Sequence, residues 1–218
     1  MSVSQNLNRL REKIEAACLL SGRSSYEVTL VAVSKFQNDE KIQEALDFGQ
    51  RVFGENRVQE ALQHWQARRA LFPDLELHLI GPLQRNKVKQ AVALFDVIET
   101  IDRPALIDDL VREMREQNKS LRYFVQVNIG QEDQKSGVEV SELETLLSYA
   151  AQAGLTISGL MCIPPVNIDP TPFFSKLRSL CELHKFSHLS MGMSADYEKA
   201  IAHGATHIRI GSLLFGSR

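Results

Sequence analysis

The stretch Val28-Thr29-Leu30-Val31-Ala32-Val33-Ser34-Lys35-Phe36 decides the fold. Its apolar, β-branched run has the length of a buried strand, and Ile42, Ala45 and Leu46 follow at helical spacing. A strand leading into an amphipathic helix is half of a parallel crossover unit. In an open, doubly wound sheet that binds a dinucleotide, the intervening turn carries a Gly-x-Gly-x-x-Gly pattern. Here Ser34-Lys35-Phe36 occupies the turn, which favours a closed barrel over the open sheet.

The same unit recurs along the chain. Strands are expected near residues 28–34, 51–54, 76–80, 97–101, 122–129, 155–163, 187–191 and 207–210. Helical patterns lie between them, as at Val58, Leu62 and Trp65 and at Leu106, Leu110 and Met114. Tyr123-Phe124-Val125-Gln126-Val127 is apolar enough for a strand covered on both faces. Eight such units predict an α/β fold, a (β/α)8 TIM barrel. Leu7, Leu10, Ile14 and Ala17 add a leading amphipathic helix from about Gln5 to Leu20, ended by Gly22. One domain over residues 1–218 is expected. No low-complexity tract or linker divides the sequence, its only proline-dense loop is Pro164–Pro170, and few residues follow the eighth strand.

A net charge of -2 leaves no electrostatic footprint for nucleic acid or anionic lipid, so small molecules are the expected ligands. No apolar run approaches the roughly 20 residues of a membrane span, and the N-terminus lacks the features of a signal peptide; the cytoplasm is the expected compartment. Cys18, Cys162 and Cys181 fit neither a disulfide framework nor a zinc site, and the six histidines show no metal-binding spacing. Arg85, Lys87 and Lys89 are expected to form a solvated basic face.

Chemistry is expected at the C-terminal strand ends, where parallel barrels build their sites and hold phosphate after strands seven and eight. Lys35 ends the first strand. Ser194 follows the seventh strand, ahead of a helix at Asp196–Ile201, and Gly211 and Ser212 follow the eighth. Main-chain amides there could cradle an anion. Arg209 shares the strand parity of His207 and Gly211, so an inward guanidinium needs an acceptor, for which a pyridine nitrogen is suitable. Taken alone, each residue has a plainer reading: Lys35 as a solvated strand end, Ser194 as a helix N-cap, Gly211 as a turn, and Arg209 in a surface ion pair.

Six ordered motifs combine these residues: Val31-Ala32-Val33-Ser34-Lys35, Phe53-Gly54-Glu55-Asn56, His78-Leu79-Ile80-Gly81-Pro82-Leu83-Gln84, Val127-Asn128 with Lys135-Ser136-Gly137, Ser190-Met191-Gly192-Met193-Ser194, and Arg209-Ile210-Gly211. From about residue 5 to 218 the chain resembles the pyridoxal phosphate homeostasis protein family. The resemblance implies a barrel similar to the alanine racemase N-terminal domain, binding pyridoxal 5'-phosphate as a Schiff base on Lys35. It implies that Arg209 faces the pyridine nitrogen and that Ser194, Gly211 and Ser212 hold the phosphate. Asn56 would lie against the cofactor, Met161 beside the ring, and Lys135 within reach of the phenolic oxygen. Arg57 and Cys162 depart from the family's frequent tyrosine and threonine.

The implied role is homeostasis of the cofactor, as a carrier or regulator of vitamin B6 supply and amino-acid metabolism with no committed reaction. Pyridoxal-phosphate-dependent apoenzymes are the candidate recipients, and a monomer is expected. The alternatives are a weak or narrow amino-acid racemase, and an interaction scaffold that binds no cofactor.

Overall fold

The computed structural model describes residues 2–132 and 136–216. Its strands are β1 (Thr29–Val33), β2 (Val52–Glu55), β3 (Glu76–Leu79), β4 (Val97–Ile101), β5 (Arg122–Gln126), β6 (Gly159–Met161), β7 (His188–Met193) and β8 (His207–Ile210). They pair in parallel in chain order, and β8 closes on β1. Helix α1 (Val3–Leu20) precedes the barrel. Then α2 (Asp39–Asp47) follows β1, α3 (Val58–Trp65) and α4 (Arg68–Leu71) follow β2, and α5 (Val88–Leu94) follows β3. The circuit continues with α6 (Pro104–Gln117), α7 (Leu143–Ala153), α8 (Thr171–Leu183), α9 (Tyr197–Ala202) and α10 (Ser212–Phe215), one after each remaining strand.

Strand parity sorts the side chains into two layers. Ala32, Phe53, Leu77, Ile98, Val125, Leu160 and Ile208 join the large apolar core between sheet and helices. Each large side chain buried there contributes about 1.5–3 kcal/mol. The alternate positions point into the barrel, where Val97, Phe124 and Met161 form a separate apolar plug. Much of the remaining interior is polar: His78, Glu99, Ser190, His207 and Arg209 are all buried.

The differences from the expected elements are local. Helix α1 begins two residues early because Ser2 and Gln5 close a reciprocal capping box, and Gly22, at φ +66, turns the chain just past its end. Strand β6 is confined to three residues rather than spanning 155–163. Ser158 is tied to the Tyr123 carbonyl through both its amide and its hydroxyl before the strand begins. Strand β5 gives way at Val127 to a single bridge with Val138.

Candidate cofactor site at the C-terminal mouth

Helix α2 and strand β1 are joined by a tight turn that carries Lys35. The Gln37 amide donates to the Ser34 carbonyl at 3.0 Å, and Phe36 occupies the left-handed region at φ +61. That conformation favours glycine and costs a phenylalanine about 1–2 kcal/mol. The surroundings enforce it. The Phe36 amide donates to the Glu60 carboxylate, and Ser34 is anchored through Glu55. Buried Glu55 Oε1 accepts from Ser34 Oγ at 2.7 Å and Trp65 Nε1 at 3.0 Å, and lies 2.8 Å from His64 Nδ1. One carboxylate therefore fixes the end of β1, the end of β2 and the face of α3, setting the positions of Lys35 and Asn56.

Asn56 is held from the other side by Gly81. An added Cβ at Gly81 would fall 2.2 Å from the Asn56 carbonyl oxygen, so only glycine lets these two loops approach. Thr100 Oγ1 donates to the Gly81 carbonyl at 2.9 Å and completes the clamp. Across the mouth, Gly192 at φ +92 lets β7 bend beneath α9, where a Cβ would meet Ala200 at 2.5 Å. The following turn is fixed by Asp196 Oδ1, which accepts from the Met193 amide at 2.6 Å. Asp196, not Ser194, is therefore the cap position of α9. Ser194 lies in the turn itself.

Lys35, Asn56, Ser194, Arg209, Gly211 and Ser212 meet around one cavity of about 390 Å³ at the C-terminal ends of the strands. Six of the eight expected site residues are thus brought together. Met161 is fully buried with Val97 and Phe124 beneath the cavity, and Ile163, two residues on, forms the wall. Lys135 lies outside the described residues. The amides of Ser212 and Leu213 precede the first bond of α10, from the Leu214 amide to the Gly211 carbonyl, so helix geometry gives them no acceptor within the helix.

Arg209 is not in a surface pair. It is 4% exposed, with Nη1 donating to Ser190 Oγ at 2.6 Å and Nη2 to the Cys162 carbonyl at 2.8 Å. The Cys162 contact uses main chain, so cysteine there does not alter it. Behind Ser190 stands Glu99, whose Oε2 lies 2.5 Å from the hydroxyl and 3.9 Å from Arg209 Nη1. These groups were absent from the expected site. The signal for Glu99 was a charge inside the apolar run Val97–Ile101, which becomes meaningful only once the barrel brings β4 and β7 face to face across its interior.

All three cysteines are buried and outside any disulfide. Among the described residues no cluster of metal-binding side chains is present, and no helix is long and apolar enough to cross a membrane. Arg85 of the basic cluster is bonded to Asp109 at 2.6 Å.

The family described as "Alanine racemase, N-terminal domain" matches residues 4–218. The pyridoxal phosphate homeostasis protein of Aquifex aeolicus is 41% identical, covering 100% of this chain and 99% of that protein. This chain belongs to the pyridoxal phosphate homeostasis protein family. The Escherichia coli K12 member is 39% identical, over 99% of this chain and 97% of its own. Among solved structures, PipY of Synechococcus elongatus with pyridoxal phosphate bound is 36% identical, with a TM-score of 0.86 over 99% of this chain and 100% of that one. Alanine racemase from Bacillus anthracis shares the fold at 16% identity, with a TM-score of 0.72 over 99% of this chain and 56% of that one.

Proposed function

We propose that this chain is a pyridoxal-phosphate-binding barrel domain over residues 1–218 that serves homeostasis of the cofactor as a carrier or regulator, with the cofactor held as a Schiff base on Lys35. The observation that carries the reading is the convergence of an amine, a guanidinium, an amide side chain and helix-start amides on one cavity at the barrel's C-terminal mouth. The donor set fits a phosphorylated aromatic aldehyde. Lys35 meets the aldehyde, Ser194 with the Gly211–Ser212 turn meets the phosphate, and Arg209 meets the ring nitrogen. The names of the full-length relatives and the cofactor-bound PipY structure support it. Lys135 beside the phenolic oxygen and Met161 near the ring remain part of the proposal.

When bound, such a cofactor supplies an electron sink, which an always-protonated arginine at its ring nitrogen weakens. Among the described residues of the cavity wall, Lys35 and Arg209 are the ionisable groups, and a guanidinium does not give up its proton. Racemisation requires acid and base on both faces of the substrate carbon; among the described residues of the wall Lys35 is the ionisable group able to give and take a proton, and a second would have to come from Lys135 or from outside the cavity. The arrangement supports holding and releasing cofactor over turning over an amino acid. In this reading the protein is a cytoplasmic monomer, and its recipients are pyridoxal-phosphate-dependent apoenzymes.

The test is the visible spectrum of purified protein with added pyridoxal phosphate, before and after borohydride reduction, beside Lys35→Ala. A band lost in the variant, with the reduced adduct on the Lys35 peptide, is expected. A native protein without the band would overturn the reading and favour the scaffold. Lys35-dependent exchange of amino-acid α-protons at an enzymatic rate would favour the racemase.

A further inference from the structure

Beneath Arg209 a row of charged and polar groups crosses the barrel. Glu99 is on β4 and Ser190 on β7, strands separated by two others, so their 2.5 Å bond passes through the interior. Glu99 Oε1 lies 2.6 Å from His78 Nδ1, and His78 Nε2 lies 2.7 Å from Glu76 Oε1. Glu76 in turn pairs with Arg122 on β5. From the N-terminal mouth to the cavity the sequence of groups is Arg122, Glu76, His78, Glu99, Ser190 and Arg209. The charges alternate.

Matching donors to acceptors along the row gives a charged arrangement of its protons. A carboxylate stands against each ring nitrogen of His78, and only an imidazolium donates to both. Ser190 has one proton; because Arg209 can only donate, the hydroxyl accepts from Arg209 and donates to Glu99. Glu99 therefore accepts at Oε2, and opposite an imidazolium at His78 it accepts at Oε1 as well, ionised although it is fully buried. Burial alone opposes charge on His78, but its bonds to Glu76 and Glu99 outweigh that and raise its pKa. Burial is likewise the largest single effect on Glu99 and opposes its charge, but the His78 bond together with the charges of His78 and Arg209 outweighs it and lowers the carboxyl. The other nearby groups are His207 on β8, its ring 5.7 Å from that of His78, and His188 on β7. Burial lowers the pKa of both, so neither competes for the proton.

We infer that Ser190 and Glu99, charge-balanced by His78, are positioning residues that hold the Arg209 guanidinium at the cavity floor and set the net charge it presents there. This deepens the proposed function and rests on Arg209 facing the bound cofactor. The arrangement has a cost that a merely structural interior would avoid, since apolar side chains of similar volume often serve stability as well as a buried ionic chain. Its connection to the cavity runs through Arg209. A carboxylate behind the guanidinium compensates part of its positive field on anything bound near Lys35.

Two measurements test this separately. In protein without cofactor, nitrogen NMR should find His78 doubly protonated at neutral pH and the Arg209 guanidinium restrained. Ser190→Ala should release the guanidinium, and Ser190→Thr, which keeps the hydroxyl, should restore the restraint. A neutral His78, or an Arg209 signal unchanged in Ser190→Ala, would overturn the positioning chain. With pyridoxal phosphate added, Glu99→Gln should lower the pH midpoint of the visible band by about one unit, as loss of a compensating anion near a protonated group requires. Val97→Ala, which removes apolar volume from the same interior, should lower the melting temperature without moving that midpoint. Equal shifts in both variants would overturn the electrostatic role. A native protein with no band would overturn the cofactor reading, and the cofactor-free NMR comparison would still decide the chain.

Discussion

At the scale of single residues, the site depends on how closely main chains approach. Gly81 illustrates this: its missing Cβ would overlap the Asn56 carbonyl, and the nearest atoms of Asn56 are all backbone. No side-chain rotation can make room. Gly81→Ala must therefore push the β2 and β3 loops apart, at about 1–3 kcal/mol in common with other overpacked sites. It should also weaken pyridoxal phosphate binding, because Asn56 moves away from the cavity. A urea unfolding curve and a cofactor titration check both; native values in each would show that the loops yield freely. The positions of Lys35, Ser194, Arg209 and Gly211 at the C-terminal mouth were legible because strand ends and parity place them without knowledge of any neighbour, whereas taken alone each had a plainer reading and only the ordered motifs joined them. Gly81 and Glu55 were quoted only as parts of motifs. Their roles depend on which loop lies against which, and one strand's pattern does not contain that information.

At the scale of elements, strand positions were legible because a parallel barrel demands near-continuous apolar runs. Strand β6 was overextended because Leu155 and Ile157 continue the run, while Gly159 marks where the chain must come close to β7: a Cβ there would meet the His188 carbonyl at 2.5 Å. The polar interior was less legible. Glu99 and His78 stand singly within their strands' sequences and acquire partners only when eight strands close around them. The junction of β1, β2 and α3 carries a pH dependence. The bond to Glu55 raises the pKa of His64 despite partial burial. A raised folded-state pKa means that this stabilisation is fully present below the unfolded value of about 6.5 and is lost as pH rises through the folded value. His64→Gln should cost about 1.5–3 kcal/mol at low pH, and the difference in melting temperature should shrink as pH increases. Other buried histidines contribute equally to both proteins and cancel. A difference that stays constant with pH would mean that His64 is neutral in the fold.

At the scale of the molecule, α1 closes the circuit where β8 meets β1. Leu7, Leu10 and Ile14 are buried, and Asn6 Nδ2 donates to the Leu214 carbonyl at 2.9 Å, fixing the short helix that carries Ser212. The Lys41 ammonium of α2 reaches the Phe215 carbonyl at 2.7 Å and ties the same helix from the other side. The N-terminal helix, the first crossover and the end of the barrel therefore share one apolar layer, and loosening any of them should be felt throughout. Leu7→Ala, at a position with no exposure, should lower stability by about 2–5 kcal/mol. The sole tryptophan, Trp65, is a distant reporter, fully buried on α3 with its ring centroid 4.5 Å from that of Phe53. If the layer is one cooperative unit, Trp65 fluorescence and far-ultraviolet circular dichroism should lose their native signals at the same denaturant concentration in Leu7→Ala. Helical signal falling before fluorescence would show instead that α1 unfolds on its own. The end of the cavity lined by Gly211 and Ser212 would then be lost while the β1–β2 junction carrying Lys35 and Asn56 stayed folded.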